Sequence, residues 1–126
     1  MRYPVVVHHE EGTTFGVTVP DIPGCFSAGD TVDEALDNVL EAIKGHLSIL
    51  AEDLVDIPKA SFISNHLDNE DYAGGMWCFV DIDIAPFLGK TEKINVTLPS
   101  MVIHRIDADF KNRSKFLTEA ALKALG

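Results

Sequence analysis

Residues 92–99 read Glu-Lys-Ile-Asn-Val-Thr-Leu-Pro and alternate strictly, with Ile94, Val96 and Leu98 on one side and Lys93, Asn95 and Thr97 on the other. That alternation is the period of a half-buried strand. Pro99 then suits the first position of a helix, which would carry Val102, Ile103 and Ile106 at helical spacing and end near Asp109. After Phe110-Lys111, a second helix is expected from about Asn112-Arg113-Ser114, with Phe116, Leu117, Ala120, Ala121, Ala124 and Leu125 on its apolar side. One strand and two helices in so short a stretch bury too little apolar surface to stand alone, and a lone strand leaves its backbone groups unpaired. A second copy resolves both difficulties. Two strands would form an antiparallel ribbon and four helices one core.

The expected ribbon shows Lys93, Asn95 and Thr97 twice on its open face. A two-stranded ribbon fits the major groove of DNA, where Asn can bond adenine bidentately and Lys can bond guanine. The amino end of the second helix, at Ser114 with Arg113 and Lys115 beside it, suits a phosphate. Charge placement agrees. The net charge of the whole chain is −10. Residues 1–89 hold three basic and sixteen acidic side chains, a balance of −13, whereas residues 90–126 hold seven basic and four acidic ones, a balance of +3. The basic end suits phosphates and the acidic end suits a basic protein.

Residues 2–9 and 14–19 predict a hairpin of two strands, the second with Phe15, Val17 and Val19 on one face, and residues 25–29 a third short strand. Thr31-Val32-Asp33-Glu34 is a capping box. Leu36, Val39, Leu40, Ile43, Leu47, Leu50 and Leu54 then repeat at three- and four-residue spacing, predicting a helix over about residues 31–54 that rests on the sheet. Residues 55–75 show no clear period. A last strand is expected over Met76–Ile84, with Cys78, Val80, Ile82 and Ile84 in the core and Trp77, Phe79, Asp81 and Asp83 on the other face. The fold class is α+β: a ββ(β)αβ domain over residues 1–84, a linker over 85–91 and the βαα segment over 92–126.

No apolar run is long enough to cross a membrane, the amino end lacks the pattern of a signal peptide, and a cytoplasmic location is expected. Cys25 and Cys78 are expected as free thiols. His8, His9, His46, His66 and His104 lack the paired spacing of a zinc site, and no phosphate-binding glycine loop or nucleophile elbow is present. No catalytic residue, metal or cofactor is therefore expected. Asp81 and Asp83, two residues apart, suggest a metal-dependent nuclease, but further carboxylates cannot be placed beside them from sequence.

Two resemblances sharpen this reading. Lys93-Ile94-Asn95-Val96-Thr97-Leu98-Pro99, with Ile106-Asp107 and Asn112-Arg113-Ser114-Lys115-Phe116-Leu117, resembles the ribbon-helix-helix family of bacterial repressors, which are intertwined dimers. The turn Asp109-Phe110-Lys111 lacks the glycine frequent in that family. Residues 20–36, Pro-Asp-Ile-Pro-Gly-Cys running into Gly-Asp-Thr-Val-Asp-Glu-Ala-Leu, resemble the HicB antitoxins. That resemblance implies a partial RNase H-like amino-terminal domain and a carboxy-terminal DNA-binding segment. It also implies a basic HicA-type toxin that cleaves mRNA, neutralisation by covering the toxin, and repression of the shared operon. It implies a homodimer, or a tetramer if the amino-terminal domains also pair. Face assignment then offers Glu10, Glu11, Trp77, Phe79, Asp81 and Asp83 as toxin contacts, and a solvated acidic face fits the same residues. The other reading is a stand-alone ribbon-helix-helix transcription factor whose amino-terminal domain senses a ligand.

Overall fold

The computed structural model describes residues 1–126, which divide into two compact units, Met1–Lys90 and Thr91–Gly126. The first contains β1 (Arg2–His8), β2 (Phe15–Thr18), β3 (Phe26–Gly29), α1 (Val32–Glu52) and β4 (Met76–Asp81). Single 3-10 turns lie at Ile63–Asn65, Glu70–Tyr72 and Ala85–Phe87. The second contains α2 (Ser100–Asp109) and α3 (Arg113–Leu125). No helix is long and apolar enough to cross a membrane.

The strands form one antiparallel sheet in the order β3-β2-β1-β4. Tyr3, Val5, Val7, Val17 and Val80 point to one face and meet Ala35, Val39, Ile43 and Leu47 of α1, all buried. These helix positions fall at three- and four-residue spacing, so one stripe of α1 seals one face of the sheet. Thr31 caps the helix as its sequence predicts, its hydroxyl accepting from the Glu34 amide at 3.1 Å.

The Gly-Asp-Thr motif acquires a physical reason. A side chain on Gly29 would place its Cβ 2.4 Å from the Ala35 amide nitrogen, so a hydrogen at this position lets the first turn of α1 lie directly on β3. Ser27 completes the junction by donating its hydroxyl to the Ala35 carbonyl at 2.8 Å.

Three boundaries differ from the sequence reading. β4 ends at Asp81 rather than at residue 84, although Ile82 and Ile84 keep their places in or against the core. Residues 85–90 belong to the first unit and are not linker, because Phe87 packs on the core. The strand expected over residues 92–99 is not formed: these residues join no ladder and have no regular structure before α2.

Candidate interaction surfaces

The sheet face opposite α1 carries one row in register across all four strands: Phe26, Thr18, Val6 and Trp77. Val6 is fully buried on it. The segment after α1 covers part of this face. His66 stacks on Trp77, with ring centres 5.9 Å apart and 17° between planes, and Tyr72 meets Trp77 edge-on at 5.7 Å. Gly75 allows the entry into β4, since a Cβ there would lie 2.3 Å from Val6 Cγ2.

Asp21, in the Pro-Asp-Ile-Pro-Gly-Cys motif, holds that covering segment in place. Its carboxylate accepts from the Ser61 amide at 2.9 Å and from the Ser61 hydroxyl at 2.6 Å. His66 Nε2 lies 2.7 Å from the same hydroxyl. The motif's turn closes on itself, with Val19 donating to the Cys25 carbonyl, Cys25 to the Ile22 carbonyl, and Gly24 at φ +81°. Cys25 is a free, buried thiol whose pKa is pushed up by burial, and Cys78 is free and half-buried. The sequence reading missed Asp21, Ser61 and His66 as a group, because forty residues separate Asp21 from Ser61.

The six residues offered as protein contacts do not form one face. Phe79 and Asp81 lie on the outer sheet face, and Phe79 is 45% exposed, with the Arg2 guanidinium over its ring at 4.1 Å. Trp77 is half-buried under His66 and Tyr72 and so is not an open contact. Asp83 lies beyond the strand, and its carboxylate accepts from the Ala85 amide at 3.0 Å, at the start of the turn Ala85–Phe87. Glu10 and Glu11 are exposed in the β1–β2 connection, where Thr13 fastens the turn by donating its hydroxyl to the Glu10 carbonyl at 2.6 Å. Beside that turn His9 stacks on Phe15 at 3.9 Å. No three His, Cys, Asp or Glu side chains converge as a metal-binding set, and Asp81 and Asp83 do not share a strand face.

In the second unit Lys93, Asn95, Thr97, Arg113, Ser114 and Lys115 are all exposed. Apolar side chains are exposed with them: Ile94 at 77% and Val96 at 58%, and also Met101, Val102 and Phe110. Ile106 is the only buried residue between 91 and 126. Pro99 stands at the N-cap of α2, not at its first helical position, and its carbonyl accepts from Val102 and Ile103. Asn112 caps α3 by accepting from the Lys115 amide at 3.0 Å. One amide at this helix end, that of Lys115, is therefore satisfied within the chain. Arg113 is also engaged, donating to both Asp107 carboxylate oxygens at 2.7 and 2.6 Å. Those hydrogen bonds and the guanidinium charge hold the Asp107 carboxyl below its usual range. Ser114 and Lys115 are exposed beside this pair. Phe110 and Phe116 pack at 4.6 Å and close the turn that lacks a glycine.

A four-stranded sheet sealed on one face by one helix, together with a small helical unit that buries one residue, defines a small α+β protein of two compact units. The chain belongs to the family described as HicB-like antitoxin of bacterial toxin-antitoxin systems, whose model matches residues 3–121. It is 40% identical over 131 residues to an uncharacterized 14.9 kDa protein in the rep-hol intergenic region of Haemophilus phage HP1, covering 99% of this chain and 98% of that one. The crystal structure of the Burkholderia pseudomallei antitoxin HicB superposes with a TM-score of 0.78 at 42% identity, covering 100% of this chain and 99% of that one. A chain of the HicA3 and HicB3 toxin-antitoxin complex matches with a TM-score of 0.54 at 30% identity, over 66% of this chain and 99% of its own length. The family is one of non-enzymatic antitoxins.

Proposed function

We propose that this chain neutralises a HicA-type toxin through its acidic first unit and represses its own operon as a dimer through its basic second unit. The observation that carries the reading is the exposed apolar side of residues 92–99, Ile94 and Val96, beside two helices that bury Ile106 alone. An antiparallel ribbon with a second copy would pair the strand and cover those side chains. Lys93, Asn95 and Thr97 would then face a major groove, with Ser114 and Lys115 at a flanking phosphate and Arg113 kept on Asp107. Glu10, Glu11, Phe79 and Asp81 are the remaining candidates for toxin contact on the first unit, where the balance of −13 over residues 1–89 suits a basic partner. The first unit is read as a partial RNase H-like layer on its strand order β3-β2-β1-β4 and single helix. Its β1–β4 pair is antiparallel and so makes no parallel crossover.

The test has two arms. Cells expressing the small basic gene beside this one should stop growing, and co-expression of this chain should restore growth with co-purification of the two proteins. On the operator, Asn95→Ala should cost about 1–3 kcal/mol, with far less loss on random DNA. A harmless neighbour that never co-purifies sinks the toxin half, and equal losses on both DNAs sink base reading by Asn95.

A further inference from the structure

The carboxy-terminal end of α1 holds a leucine where its backbone favours glycine. The helix closes with the Leu54 amide donating to the Ala51 carbonyl at 3.2 Å and the Val55 amide to the Leu50 carbonyl at 2.9 Å. This paired closure puts its penultimate residue in the left-handed region, and Leu54 has φ +56°. Burial gives no compensation, since Leu54 is 89% exposed. Val55 and Leu88 beside it are exposed as well. Together with Ala51, Asp56, Ile57, Phe87 and Gly89 they line a shallow groove of about 160 Å³ within the first unit, of mixed polar and apolar surface.

The rim of the groove is acidic. Glu52, Asp53 and Asp56 are exposed around Leu54, and the last turn of α1 carries no basic residue to offset the negative end of the helix. The same groove of a second copy would bring two such rims together, and a nucleic acid would meet them with phosphates, so like charges oppose both occupants. A basic protein surface is complementary.

We propose that this groove docks the basic toxin, with Leu54 as its apolar anchor and Glu52, Asp53 and Asp56 as the surrounding charges. The inference rests on the toxin-binding reading above and names a surface for it outside the sheet. An exposed leucine in a conformation glycine prefers is explained by a contact made in the complex.

Leu54→Gly separates the two roles of the position. In the full chain it should raise the thermal midpoint, because glycine relieves the left-handed strain. It should also weaken binding to the purified, catalytically inert protein encoded by the neighbouring small gene at least about tenfold by calorimetric titration. Leu54→Asn, which also tolerates this backbone, should lose affinity similarly, and Asp53→Asn with Asp56→Asn should flatten the salt dependence of binding. Wild-type affinity in both Leu54 variants overturns the groove and leaves the antitoxin reading standing. No binding by the wild-type chain overturns the antitoxin reading, and the groove with it.

Discussion

Tyr3 shows how one side chain can tie distant parts of the first unit together. Its hydroxyl donates to the Pro58 carbonyl at 2.6 Å while its ring is buried under α1. Burial, and then the negative charge of Asp21, push its pKa from about 10 to about 12. Between those values the unfolded chain gives up the proton while the folded chain keeps it. Stability contributed by this tyrosine is therefore complete below pH 10 and falls as pH rises toward 12. Tyr3→Phe should lower stability by about 0.5–1.5 kcal/mol near neutral pH through the lost hydrogen bond. It should also flatten the alkaline decline, as read from urea midpoints measured across this range. None of this was legible in the sequence. The Tyr3–Pro58 and Asp21–Ser61 pairs span 55 and 40 residues, and no local spacing encodes them.

Among the elements, those with local signals were the legible ones. Thr31 announced the start of α1, and the spacing of Val39, Ile43 and Leu47 announced its buried stripe. The end of β4 was misread because alternation reports burial, not pairing. Ile82 and Ile84 continue the inward pattern, while the last backbone bonds on that edge join Ile82 to Met1. The surroundings of Trp77 and Asp83 were not legible for the same kind of reason. One is covered by His66 and Tyr72 from an aperiodic segment, and the other is taken by a turn. Residues 92–99 alternate like a strand yet pair with nothing in the chain, and the proposed ribbon would supply their partner. Val96→Asp puts a charge into the apolar side of the proposed ribbon and should convert the dimer to monomer at micromolar concentration, as measured by sedimentation. A dimer of unchanged mass and stability would show that the ribbon is not the interface.

At the scale of the whole molecule, the separation of charge was the most legible property of all, because it needs only counting. The −13 and +3 halves coincide nearly with the two compact units, whose boundary falls between Lys90 and Thr91. The proposed binding to DNA through the basic unit should weaken steeply with salt. Lys115→Ala should weaken operator and random DNA alike and reduce the log–log salt slope by about one, which fluorescence anisotropy across a salt series would detect. A slope equal to that of the unaltered chain would remove Lys115 from the phosphate contacts.

The solitary burial of Ile106 in the second unit has a further consequence for the economy of the cell. If the proposed dimer completes this core, the lifetime of the segment is set by abundance. At low copy number it is an open substrate for housekeeping proteases, and at high copy number it is sheltered. In the proposed dimer, a pause in synthesis would be followed by accelerating loss of the chain, as each dissociated copy is degraded and fewer remain to pair.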